Sequence, residues 1–186
     1  MKITTKNMIL TSLFAALTAI GAVLIVIPLG PVDFTLQLFF TILSGIILGS
    51  KYGAMSQILY VGMGIIGLPV FAGGKGGFAY IFAPSFGYLL GFILGAYISG
   101  KIVEKLGWKS FKNILIASLA GLAAVYLIGF PYLYIILTKV NGLDLSFYEV
   151  LKSGVLIFMP GDLIKCVIAS LLSIKVLPIL KKEILR

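Results

Sequence analysis

The sequence predicts an all-α integral membrane protein of six transmembrane helices, forming a single membrane domain over residues 1–186. Three observations carry that expectation. Of 186 residues, 60% are hydrophobic and 11% charged, with a mean hydropathy of +1.15. Soluble domains lie nearer to about 45–50% apolar and about 25% charged, so lipid must cover much of this surface. The apolar residues fall in long runs separated by glycine, proline and lysine, and the lysines crowd into alternate connections, as positive charges do on the cytoplasmic side of membrane proteins.

The first span is expected over 8–29, stopped by Gly30-Pro31. Lys2 and Lys6 precede it, as in a secretory signal, but the run is long enough to cross a bilayer and is read as a retained helix. The second, over 34–48, is short. About 20 helical residues cross about 30 Å of hydrocarbon, so it should sit partly inside protein. The third covers 52–68 and ends at Pro69, and the fourth covers 80–99. Lys101, Glu104, Lys105, Trp108, Lys109 and Lys112 then mark a basic interfacial connection. The fifth span covers 114–137, with Pro131 expected to kink it near its end. A turn at Asn141-Gly142-Leu143-Asp144 precedes Ser146-Phe147-Tyr148-Glu149, which has the form of a capping box and predicts a short surface helix. The sixth span covers 160–181.

Placing both termini in the cytoplasm puts eleven basic residues there: Lys2, Lys6, Lys51, Lys101, Lys105, Lys109, Lys112, Lys175, Lys181, Lys182 and Arg186. Only Lys75, Lys139 and Lys152 then lie outside. The net charge of +9 is therefore read as a topology signal rather than a nucleic-acid patch. The chain has no histidine and one cysteine, Cys166. That excludes an internal disulfide, histidine metal sites and histidine-dependent nucleophilic catalysis. The six acids (Asp33, Glu104, Asp144, Glu149, Asp162 and Glu183) are scattered, so no enzyme and no cofactor is expected.

Asp162 is the only acid inside an expected span. It follows Pro160-Gly161, which suits a helix start, and Lys165 lies three residues on, on the same face. Two readings stand: a self-neutralised structural pair, or a pair facing a cavity and binding a polar solute. Intramembrane charge is costly and points to the second. The loop Gly73-Gly74-Lys75-Gly76-Gly77 is either a flexible turn or a place where backbone approaches a ligand closely. Phe71, Phe78, Tyr80, Phe82, Phe86 and Tyr88 crowd the same stretch, as aromatic residues crowd small-ligand pockets. It is not a phosphate-binding loop, since no Gly-Lys-Ser/Thr follows and no strand precedes it. In the first span, Ala15, Ala16, Ala19, Gly21 and Ala22 form a small-residue strip, and Ala15 with Ala19 makes a small-xxx-small pair. Such a strip packs inside the chain or docks on another membrane protein.

Pro69-Val70-Phe71-Ala72-Gly73-Gly74-x-Gly76-Gly77, then Tyr80, Pro84, Gly87-Tyr88-Leu89 and Gly91-Phe92, strongly resembles the BioY family. These are the biotin-binding S components of energy-coupling factor (ECF) transporters. Pro160-Gly161-Asp162-x-x-Lys165 resembles the family's second signature. The resemblance extends over the whole chain in length and span count. It implies a six-helix S-component bundle in a prokaryotic plasma membrane, holding biotin near the outer face. It also implies a transmembrane coupling subunit and two cytoplasmic ATPases as partners, and a chain that topples in the membrane to carry its pocket inward. By the same resemblance Ala15 and Ala19 would contact the coupling subunit.

On chemistry, Asp162 suits a urea N–H and Lys165 a carboxylate or urea oxygen. The backbone of Gly73, Gly74, Gly76 and Gly77 suits the remaining polar atoms, and Phe71, Tyr80 and Tyr88 the apolar body. The chain departs from the family where Ala83-Pro84-Ser85-Phe86-Gly87 replaces Gly-Pro-Thr-Gly-Gly, with a bulkier Phe86. Lys75 occupies a position that varies in the family and ranks last among the ligand-binding candidates. The alternatives are an S component for another vitamin, thiamin or riboflavin, and a membrane scaffold.

Overall fold

A computed structural model describes residues 4–183, with side chains described as far as residue 180. Lys2 and Arg186, and the side chains of Lys181 and Lys182, which entered the lysine count, lie outside the described residues. The chain folds as a helical bundle with one small β-hairpin. Among the described residues four helical segments are long and apolar enough to cross a membrane: Thr5–Leu24, Phe86–Leu106, Phe111–Val140 and Phe147–Leu180. Two further helices of the bundle are shorter.

Helix α1 spans Thr5–Leu24, with the Thr4 hydroxyl accepting the Asn7 amide at its start. It ends five residues before the expected boundary at 29. The reason is local. Ile25, Val26 and Ile27 are β-branched, and Pro28 disfavours the helical conformation in the residue before it. Instead β1 (Val26–Pro28) pairs antiparallel with β2 (Asp33–Thr35). Phe34 therefore belongs to a strand, not to the second helix.

Helix α2 is Gln37–Leu48, and α3 is Ser50–Ile65, divided only by Gly49. Nine of the 12 residues of α2 are buried, which agrees with a short helix enclosed by protein. The Glu104 carboxylate accepts both the amide and the hydroxyl of Ser50, at 2.7 and 2.9 Å, and so caps α3 from a neighbouring helix.

The connection after α3 is more structured than a flexible turn. It contains two short 3₁₀ turns, Ala72–Gly74 and Phe78–Phe82. Gly73, Gly74 and Gly77 take positive φ, which only glycine adopts without strain. The Phe71 amide donates to the Lys75 carbonyl and the Gly77 amide to the Gly64 carbonyl, which pins the loop to the end of α3. Phe71 is fully buried, 5.7 Å from the ring of Tyr60 and 4.6 Å from that of Tyr80.

Helix α4 is Phe86–Leu106, beginning six residues after the expected start at 80. Ala83, ahead of Pro84, is extended (ψ 140°), so helix cannot run back through it. Helix α5 is Phe111–Ile135, continuing through Pro131 into a π-helical turn at Ile136–Val140. Helix α6, Phe147–Leu151, has the expected capping box between Ser146 and Glu149. A second π-helical turn, Lys152–Leu156, leads into α7, Met159–Glu183. The hydrophobic core draws on all seven helices, from Phe14 and Ile42 through Tyr60 and Leu89 to Leu133, Val150 and Leu177.

Gly64 is the position on which the loop's placement rests, because a Cβ there would overlap the Phe71 ring. Gly64→Ala is expected to cost about 1–3 kcal/mol, read as a lower thermal midpoint of the detergent-solubilised protein. Gly62→Ala, two residues away and facing open space, should leave the midpoint unchanged. Equal midpoints for the two variants would show that the loop is not held by this contact.

Candidate functional site

Helix α7 begins at Met159, so Asp162 falls in its first turn and Lys165 one turn further on the same face. Both are 7% exposed. The Lys165 ammonium lies 2.8 Å from Asp162 Oδ1 and donates to the Thr35 carbonyl at 2.6 Å. It also lies 3.5 Å from the centroid of the Phe34 ring. An ammonium has three N–H groups, so a carboxylate, a carbonyl and an aromatic face occupy its surroundings. The second carboxylate oxygen of Asp162 accepts the hydroxyl of Tyr126, on α5, at 2.6 Å. Each oxygen keeps lone-pair capacity beyond that one bond.

The hairpin and α2 connect this pair to the glycine-rich loop. Thr35 donates its hydroxyl to Gln37 Oε1 at 2.8 Å. Gln37 donates to the Tyr60 hydroxyl at 2.6 Å, and Tyr60 donates to the Val70 carbonyl at 3.0 Å. All are buried, and a buried polar chain of this kind is stabilising only when its members are satisfied.

Beside the pair is a cavity of about 60 Å³. Its lining includes Asp162 and Lys165 and the apolar side chains of Val32, Leu38, Leu89, Phe92 and Val125. Further polar groups in the lining are Asp33, Gln37, Tyr80, Ser85, Tyr88 and Tyr126. Tyr88 is held by donating to the Gly154 carbonyl at 2.7 Å, inside the second π-helical turn. Tyr80 and Ser85 share one hydrogen bond at 2.9 Å. Two hydroxyls in one such bond leave one proton for an outside acceptor. Tyr132 donates to the Ile81 carbonyl and so ties the loop to α5.

Of the expected site residues, Asp162, Lys165, Tyr80 and Tyr88 line the cavity together. Phe71 lies one layer behind, packed on Tyr80, while its neighbour Ala72 reaches the wall. Gly73, Gly74, Gly76 and Gly77 are not among the lining residues. The Gly74 and Gly77 amides donate to the carbonyls of Phe71 and Gly64, so they serve the loop's own folding. Lys75 is exposed and pairs with Asp33 at 3.9 Å, reaching the cavity wall only through that acid. Ala15 is fully buried against this chain and Ala19 is half-buried, while Ser12 and Ala16 are the exposed small residues of the same helix.

Residues that sequence reasoning missed are Phe34, Thr35, Gln37, Tyr126, Gly154 and Phe158. Tyr126 carried a usable signal, a hydroxyl in the middle of an apolar run. Phe34 and Thr35 were hidden by their assignment to a helix.

A helical chain with several membrane-length helices and a buried ion pair on an apolar-walled cavity defines a membrane-embedded protein built to bind a small polar solute. Comparison with known proteins narrows the class. Residues 1–182 match the BioY family, and the chain belongs to that family. It is 41% identical over 170 residues to the biotin transporter BioY of Thermotoga maritima, covering 91% of this chain and 95% of that protein. It is 38% identical over 169 residues to a probable biotin transporter BioY of Lysinibacillus sphaericus, covering 91% and 85%. The fold matches the crystal structure of the S-component for biotin from an ECF-type ABC transporter. The TM-score is 0.83 at 29% identity, with 94% of each chain covered.

The pair on α7 should behave as a buried ion pair. Asp162→Asn or Lys165→Met alone is expected to cost about 3–5 kcal/mol, because each leaves the other charge uncompensated. The double variant should recover part of that loss in thermal unfolding. Strictly additive single and double effects would mean that the two side chains do not interact.

Proposed function

We propose that this chain is the biotin-capturing S component of an ECF-type transporter, and not an enzyme. One observation carries the reading. A membrane-embedded chain of the BioY family holds a buried Asp162–Lys165 pair in the lining of a largely apolar cavity. Biotin combines a urea ring, an apolar bicycle and chain, and a carboxylate. Asp162, paired with Lys165 and oriented by Tyr126, accepts the urea N–H groups. The spare proton of the Tyr80–Ser85 pair suits the urea oxygen. The apolar wall takes the thioether ring.

The lysine distribution supports cytoplasmic termini, six crossings of a prokaryotic plasma membrane, and a cavity opening outward. In that arrangement the short helices α2 and α3 cross within the protein's own shell. Transport then requires a coupling subunit and two ATPases, as membership of the BioY family implies. The coupling subunit docks on the exposed Ser12 and Ala16 side of α1, rotated from the buried Ala15. Small exposed residues let a partner helix approach closely there.

Calorimetric titration of the purified chain should show biotin binding at micromolar ligand, with no heat from thiamin or riboflavin. Asp162→Asn should weaken it by at least about 10-fold, the scale of one hydrogen bond to a charged group. Heat with thiamin or riboflavin and none with biotin would replace this reading with that of an S component for another vitamin. Ser12→Trp with Ala16→Trp should leave biotin binding intact and abolish uptake in cells carrying the full transporter. Undiminished uptake would place the docking surface elsewhere.

A further inference from the structure

Two ion pairs meet the cavity, and they differ in exposure. Asp162 and Lys165 have side chains only 10% and 9% exposed. Asp33 is 20% exposed and lines the cavity, while its partner Lys75 is 62% exposed and does not line it. The lining shared with Asp33, Asp162 and Lys165 includes the apolar side chains of Val32, Leu38, Leu89, Phe92 and Val125. The inner pair is committed: the Lys165 ammonium already faces Asp162, the Thr35 carbonyl and the Phe34 ring. The outer pair is loose. At 3.9 Å it is an ion pair beyond hydrogen-bond reach, so the Lys75 N–H groups are not saturated by Asp33. Lys75 also sits at the tip of a loop whose two ends are pinned by backbone bonds, which fixes where its flexible stem starts.

We propose that Lys75 reads the carboxylate end of the ligand, with Asp33 holding the ammonium at the rim until the ligand arrives. An elongated solute with a hydrogen-bonding head and an anionic tail then lies along the cavity, head at Asp162 and tail at Lys75. This rests on the biotin reading and assigns the end of the molecule that the inner pair cannot serve. It also makes Lys75, exposed and outside the lining, a specificity-determining residue rather than a solvated bystander. Asp33 acts in opposition, since its carboxylate competes with the ligand's for the same cation.

The test uses biotin and its uncharged amide, biotinamide, titrated into the full chain. The parent should prefer the acid. Lys75→Met should weaken biotin roughly fivefold, the scale of a partly exposed ion pair, and leave biotinamide unchanged. Asp33→Asn should strengthen biotin severalfold, again without effect on the amide. Lys152→Met, which removes another of the cations expected on the outer side, should alter neither. If Lys75→Met shifts both ligands equally or neither, or if Lys152→Met produces the selective loss, the proposal is overturned while the biotin reading stands. A parent that binds neither ligand removes the biotin reading and this assignment together.

Discussion

The buried contact between Asp162 and Lys165 is the constraint from which the arrangement of the cavity follows. Two charges cannot sit in a low-dielectric interior unless each is paired and hydrogen-bonded. Satisfying this pair recruits groups from two separate elements: Tyr126 from α5, and the Thr35 carbonyl and Phe34 ring from β2. The hairpin is thereby held against α7. Thr35 then passes the connection through Gln37 and Tyr60 to the root of the glycine-rich loop. One ion pair thus fixes the relative position of segments that lie about 130 residues apart in sequence.

The same constraint explains why the glycine-rich loop is ordered. Its glycines permit the positive φ values of a tight path, and its amides close bonds within the loop or back to α3. Its contribution to the cavity comes through what it presents, Ala72 and Tyr80 on the wall with Phe71 wedged behind them. Backbone permissiveness builds the wall, and side chains form its surface.

Much of this was legible from residues alone. The helical class followed from composition, the capping box at Ser146 from its spacing, and the joint placement of Asp162 and Lys165 from their i, i+3 register. The convergence of Tyr80 and Tyr88 on that pair was also anticipated. What was not legible has physical causes. Hydropathy cannot separate a β-branched strand from a helix end, so β1 and β2 were absorbed into the first two spans. Helical register alone does not tell which side of α1 faces inward, and Ala15 proved to be buried where Ala16 is exposed. Thr35 and Gln37 belong to the site through contacts made between distant elements, and no local pattern reports those. Among the described residues four membrane-length segments are evident where six spans were expected, because α2 and α3 are short, at 12 and 16 residues.

The account turns on the ligand lying between the two ion pairs, and an experimental structure of the chain with biotin bound would test that most directly. It should show the urea ring within hydrogen-bonding distance of the Asp162 carboxylate, with the valeryl chain running along Leu89 and Val125 toward Lys75. Biotin bound away from Asp162, or with its carboxylate rather than its urea ring against the α7 pair, would contradict the account.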